Sequence, residues 1–178
     1  MIVRPASEQD IPSISRVHVE SWRTAYRGII ADSFLAGLSY QKHEERHRRY
    51  IVQPGTIYLV AELPGAGVVG FLSGGPVRNG DRHFPGELYA IYILDQHRRH
   101  GIGSALVQQW AQSLRQGALN AALVWVLADN KPAIAFYGGL GAKPLREQMI
   151  EIGGVSLREV AYGWTDLEVL RRRGVEDI

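Results

Sequence analysis

No cysteine occurs among the 178 residues. That excludes disulfides, thiolate metal sites and a thiol nucleophile, so no cysteine-borne covalent intermediate is expected. No apolar stretch approaches the ~20 residues that a membrane span needs. The opening Met1-Ile2-Val3-Arg4-Pro5 does not start a signal peptide, and a cytoplasmic protein with no membrane partner is the expectation. Charge of one sign is also scarce: 20 Lys and Arg against 18 Asp and Glu leave a formal net charge of +2. The pI is about 9.0, but the small basic excess is scattered, so no nucleic-acid partner is expected. There is no internal repeat, low-complexity tract or linker either. Residues 1–178 therefore read as one domain, long enough to bury a real core.

What is present is an alternation of strand and helix patterns. Residues 2–5 read as a short strand. Ile11, Ile14, Val17, His18, Ser21 and Trp22 follow at helical spacing, with Gly28 free to close the helix. A short helix over 31–38 and a highly charged one over 40–52 come next. Residues 56–62 and 68–73 make a hairpin, and a polar loop over 78–85 leads to the apolar run 87–94, expected to be buried on both faces. Further on, 121–128 is an apolar strand and Asn130-Lys131-Pro132 opens a helix. Residues 143–152 and 155–165 form a last hairpin, and 167–178 is expected to be helical or frayed.

The centre of the chain is the unit made by the run 87–94, the turn Arg98-Arg99-His100-Gly101-Ile102-Gly103-Ser104, and the helix marked by Leu106, Val107, Trp110, Ala111 and Leu114. Glycines let such a turn bring backbone N–H groups close to a ligand, and the helix start adds about half a positive charge. This is an anion site, best suited to phosphate. It is not a Walker loop, because Gly103 precedes Ser104 without a lysine. It is not a dinucleotide fingerprint either, because Leu106 stands where the third glycine belongs. A tight turn that merely caps a helix is the plainer alternative.

The pattern Arg98-x-x-Gly101-x-Gly103 after an apolar strand resembles the pyrophosphate-binding motif of the GNAT N-acetyltransferase superfamily. A second segment supports the resemblance: Asn130-x-x-Ala133-x-x-Phe136-Tyr137-x-x-Leu140-Gly141 looks like the superfamily's downstream motif. Two departures stand out. Gly138-Gly139 should weaken the helix by roughly 1 kcal/mol per glycine, and Ala142 replaces an aromatic expected to pack beneath Tyr137.

The resemblance implies a single-domain α/β fold, a mixed and mostly antiparallel sheet flanked by helices. It also implies direct transfer of an acetyl group from acetyl-CoA to a primary amine, with acetyl-CoA as co-substrate and no metal. The amides of Arg99, His100, Gly101, Ile102, Gly103 and Ser104 would grip the pyrophosphate, with the Arg98 and Arg99 side chains adding charge. Backbone groups of Ile91, Tyr92 and Ile93 would hold the pantetheine arm, with the Ile91 N–H facing the thioester carbonyl. The side chain of Asn130 would bond to the arm as well. Glu87 matches the superfamily's general base and Tyr137 the acid that protonates the departing thiolate. Strand geometry agrees about Glu87: six residues separate it from Ile93, about 20 Å at ~3.3 Å each. A carboxylate among apolar residues should also be easier to protonate, which suits a base near neutral pH. Trp22, Arg23, Tyr26 and Arg27 fall beside the acceptor site, with a buried helix stripe as their alternative role. The acceptor is a small-molecule or peptide amine, and a homodimer stays open.

The charged helix contains a literal His43-Glu44-Glu45-Arg46-His47, which can place two imidazoles on one face for zinc. Its neighbours Lys42, Arg46, Arg48 and Arg49 oppose a divalent cation. The expected reading is a solvated face with pairs such as Glu44–Arg48 and Glu45–Arg49. A zinc hydrolase on His43 and His47 and a catalytically silent CoA-binding protein are the alternatives to acetyl transfer.

Overall fold

The structure, a computed structural model, describes residues 1–172. Seven strands form one sheet: β1 (Ile2–Pro5), β2 (Ile57–Leu63), β3 (Gly67–Pro76), β4 (Gly86–Ile93), β5 (Ala122–Leu127), β6 (Lys143–Ile152) and β7 (Val155–Trp164). Their order is β1-β2-β3-β4-β5-β7-β6. Only β4 and β5 run parallel; every other neighbouring pair is antiparallel. Among the described residues, six α-helices surround the sheet: α1 (Ile11–Ala25), α2 (Asp32–Ala36), α3 (Tyr40–Ile51), α4 (Ile102–Gln116), α5 (Lys131–Gly139) and α6 (Val169–Arg172). Of the stretch 167–178, expected to be helical or frayed, Val169–Arg172 form α6, and residues 173–178 lie outside the described residues. Among the described residues, no helix is long and apolar enough to cross a membrane.

Two layers of side chains hold the sheet. On one face α4 buries Leu106, Val107, Trp110 and Leu114 against Leu72, Leu88, Val124 and Trp164. On the other, Ile14 and Val17 of α1 pack on Tyr58, Val60 and Phe71. Full burial of such side chains stabilises by about 1.5–3 kcal/mol each. Gly74 is required by close approach, since a Cβ there would collide with the Trp110 ring. α5 does run through Gly138 and Gly139, ending at Leu140. The aromatic missing at Ala142 is supplied from elsewhere: the Trp164 ring sits edge-on to Tyr137 at 6.1 Å, fixed by its Nε1–H donating to Leu140 O at 3.1 Å.

Two irregularities of β4 make the site. The β3–β4 register shifts between Ser73 and Gly74, whose partners are Ala90 and Leu88, so Tyr89 is a bulged residue with no partner. The bulge changes which residues face which layer. Leu88, Ile91 and Ile93 pack on the α4 side, while Ala90 and Tyr92 pack on the α1 side. Secondly, β4 and β5 pair only from Gly86–Ala122 to Leu88–Val124 and then part. The expectation that β4 is buried throughout therefore needs correcting. Its first three residues are buried, and the last five are half-buried because they line the opening.

Candidate active site

The parting strands open a cavity of about 760 Å³. Its walls carry residues 88–93 of β4, Trp125 and Val126 of β5, the turn around Gly101 and Gly103, and Asn130, Phe136 and Tyr137 from the start and body of α5. The two motifs far apart in sequence therefore meet in one opening.

At the wide end lies the turn. Arg99 and Gly101 both have left-handed backbone, φ 64° and 75°. Only glycine takes this conformation without cost, and here it leaves space where a Cβ would go at Gly101. Among the described residues, the amides of 99–104 find no acceptor, and the first helix amide to do so is that of Ala105, to Gly101 O at 3.0 Å. Six N–H groups at a helix start are thus unpaired among the described residues, an arrangement able to take an anion. Gly103 lets Phe136 approach, since a Cβ would stand 3.0 Å from the ring. Arg98 is spent nearby, donating to Ile93 O at 3.3 Å and pairing with Asp95 at 3.1 Å.

Along the strand, the hydrogen-bonding pattern decides which residues can meet an extended ligand. Leu94 N donates to Val69 O at 2.9 Å, so Leu94 belongs to the β3 ladder. Alternation gives Tyr92, opposite Phe71, the same direction and leaves the backbone of Ile91 and the N–H of Ile93 on the open edge, the Ile93 carbonyl being taken by Arg98 and Ser21. The inclusion of the Tyr92 backbone in the arm-binding set needs correcting on this ground. Tyr92 meets the cavity with its side chain, whose hydroxyl lies 3.1 Å from that of Tyr26. Asn130 is present, but its Oδ1 is engaged by the Ala133 amide at 3.2 Å as the cap of α5, and its side chain also bonds to the Tyr26 hydroxyl.

Tyr137 is buried, and its hydroxyl has no hydrogen-bond partner among the described residues. Burial holds that phenol far above its usual pKa, so it carries its proton. Glu87 sits differently from the expectation. It is 2% exposed, does not line the cavity, and is not among apolar neighbours alone. Arg78 donates from Nε to Oε1 at 3.0 Å and also through Nη2, while its backbone N donates to Oε2 at 3.0 Å. The polar loop before β4 gave no sign of this clamp.

The structure places Tyr26 at the cavity, whereas Arg23 turns away and donates to the carbonyls of Leu35 and Leu38 at 3.2 and 3.0 Å. It thereby ties α2 to α1. Trp22 packs edge-on to Tyr26 at 4.9 Å and tilted to Tyr92 at 6.4 Å. Near it lies a correction to the reading of the charged helix. Glu44 does pair with Arg48, at 3.9 Å, but His47 is not on a solvated face. It is buried, with Nε2 2.9 Å from His18 Nδ1 and Nδ1 3.1 Å from the Tyr58 hydroxyl. Loss of water pushes His47 down to about 4, with the nearby charges of His43 and Arg46 adding to it. His18 is lowered for the same first reason. Both nitrogens of His47 are spent inside the protein, so the His-Glu-x-x-His face does not present a ligand pair.

Residues 19–142 match the family model described as Acetyltransferase (GNAT) family. The chain is 39% identical over 169 residues to an uncharacterized N-acetyltransferase of Bacillus subtilis, YuaI, covering 95% of each protein. A probable N-acetyltransferase of Mycobacterium tuberculosis is 25% identical over 137 residues, 76% of this chain and 75% of that one. Among solved structures, the PaiA N-acetyltransferase of Thermoplasma acidophilum, in complex with coenzyme A, superposes with a TM-score of 0.72 at 20% identity, over 89% of this chain and 96% of that one. YncA of Salmonella typhimurium, a putative acetyltransferase with acetyl-CoA, gives 0.67 at 18% identity and covers 93% of each. These two show a shared fold.

Proposed function

The chain belongs to the GNAT acetyltransferase family, and from that premise we propose that it transfers an acetyl group from acetyl-CoA to a primary amine by direct attack in a ternary complex. The observation that carries this reading is continuity. The unpaired amides of Arg99 and of 101–104, the strand edge at Ile93 and Ile91, and Tyr137, whose hydroxyl is unpartnered among the described residues, all belong to a single cavity. A pyrophosphate fits the amides, and a peptide-like arm fits a strand edge as another strand would. Two relatives in fold are described with coenzyme A or acetyl-CoA, which agrees. When bound, the thioester supplies the activated acetyl group.

The chain's own residues would then act as follows. The Ile91 N–H stabilises negative charge that builds on the carbonyl oxygen. Tyr137, a neutral phenol at working pH, gives its proton to the departing sulfur. Glu87 takes the amine proton through a water. Its Oε2 has accepted one N–H and keeps a lone pair for that purpose. The test is release of free CoA thiol from acetyl-CoA in the presence of a panel of primary amines, with the acetylated product identified by mass. Product formation with any amine supports the reading; acetyl-CoA binding without transfer to any amine would leave a silent CoA-binding protein.

A further inference from the structure

Where β4 and β5 part, two arginines stack on rings that line the cavity. The last paired residues of β4 and β5 are Leu88 and Val124, so the next residues, Tyr89 and Trp125, begin the opening side by side, and both line the cavity. Each carries a guanidinium. Arg78 lies 4.7 Å from the Tyr89 ring centre, and Arg146 lies 5.5 Å from that of Trp125. Each is also anchored from behind by a carboxylate: Arg78 by Glu87, and Arg146 by Asp81 at 2.6 Å. Asp81 is itself fixed, accepting from the amides of His83 and Phe84 at 2.9 and 3.1 Å. The loop that starts at Arg78 is thus tied to β6, which holds the two guanidiniums over the Tyr89 and Trp125 rings.

The anchors are buried and the arginines are not. The Glu87 and Asp81 side chains are 3% and 12% exposed, those of Arg78 and Arg146 58% and 41%. A guanidinium has five N–H donors. Arg78 spends Nε and Nη2, and Arg146 spends Nη2, so among the described residues both Nη1 groups are unspent. Stacking and anchoring remove the rotational freedom that an exposed arginine would otherwise lose on binding. The opposite charge is also at hand. Glu159 is 8% exposed, accepts from Gln148 at 2.6 Å, and has no ion pair among the described residues. It lies two residues along β7 from Ala161, the partner of Arg146, or about 7 Å.

We infer that the acceptor is an amine bearing a carboxylate, of the α-amino-acid class, and that Arg78 and Arg146 hold this carboxylate at the mouth between β4 and β5. The inference rests on the acetyl-transfer reading and adds the substrate class to it. A carboxylate held there leaves the amine directed into the cavity. The plain amides or amines corresponding to the same molecules would leave the two forks without a partner.

The experiment uses the L-α-amino acids in matched pairs with their carboxamides, with free CoA thiol as the readout. For at least one pair, kcat/KM should favour the acid by roughly 10–100-fold, the worth of a charge-assisted hydrogen-bonded contact. Arg146→Gln should collapse that ratio towards one, mainly through the KM of the acid, and Arg146→Lys, which keeps the charge and loses the fork, should fall between. Asp81→Asn releases Arg146 from its anchor and should lower the ratio without touching the guanidinium itself. Amides equal to acids in every pair would overturn the inference, as would acceptance of only carboxylate-free amines or a ratio that survives in a folded Arg146→Gln. Those results leave acetyl transfer standing. Loss of acetyl-CoA binding in calorimetry would instead strike the reading beneath it.

Discussion

Acidification should destabilise this protein well above the pH at which carboxylates are protonated, because of the pair His18–His47. In the unfolded chain both imidazoles take up a proton near pH 6.5. In the fold they resist it, His47 down to about 4 and His18 also held well below its usual value, since burial removes water and His43 and Arg46 add like charge. The unfolded state therefore binds more protons throughout this window. The stability is fully present above about pH 7 and is lost as the pH falls below 6.5. For His47 alone, the gap between 6.5 and about 4, at ~1.4 kcal/mol per pH unit, amounts to about 3 kcal/mol at pH 4. About 2 kcal/mol of that has gone by pH 5, a fall of about 4–8 °C in Tm for a chain of this size. Urea unfolding at a series of pH values from 7.5 to 5 measures it. His47→Gln can still hydrogen-bond to Tyr58 and His18 but cannot titrate. Whatever its stability at pH 7.5, it should lose about 2 kcal/mol less than the parent on going to pH 5. A flat profile for the parent, or the same fall in His47→Gln, would refute the reasoning.

Two further predictions concern protons in the reaction. Tyr137→Phe should lower kcat while leaving acetyl-CoA affinity and stability nearly unchanged, because the hydroxyl bonds to no described residue and its loss is felt only in the transition state. A donor whose thiol is more acidic should restore much of the rate, and a full-rate Tyr137→Phe would make Tyr137 a packing residue. Glu87→Gln should lower kcat/KM by ~10²–10⁴. A full-rate variant would leave Glu87 as the anchor of Arg78 only.

The parts of the site made by backbone were legible in the sequence, because backbone geometry follows from glycine, proline and strand periodicity. Gly101 and Gly103 mark the turn into α4 that lines the cavity, and Asn130 with Pro132 marks the cap that brings Tyr137 there. Side-chain partners between distant segments were not legible. Nothing in the spacing of Arg78 and Glu87 indicates a clamp, and Asp81 and Arg146 are joined only because β6 lies at the far edge of the sheet. The reading of His47 erred for a related reason. Its helix is polar at almost every other position, so one buried imidazole left no periodic signal, and its partner His18 lies on another helix. The bulge at Tyr89 was equally hidden: the strand pattern is continuous, and the change of face appears only against β3.

The central claim is that the turn 99–104 grips the pyrophosphate of acetyl-CoA, and one pair of substitutions at Gly101 tests it most directly. Gly101 has φ 75° with open space where a Cβ would go, so asparagine, which tolerates that conformation, should be accepted there. Aspartate has nearly the same size and adds one negative charge beside the amides. Titration calorimetry with acetyl-CoA should show binding by the parent and by Gly101→Asn within about tenfold of each other. Gly101→Asp should be weaker than Gly101→Asn by about 1.4–3 kcal/mol, roughly 10–100-fold, while still melting cooperatively. Equal affinity for the two folded variants, or no binding of acetyl-CoA by the parent, would contradict the account.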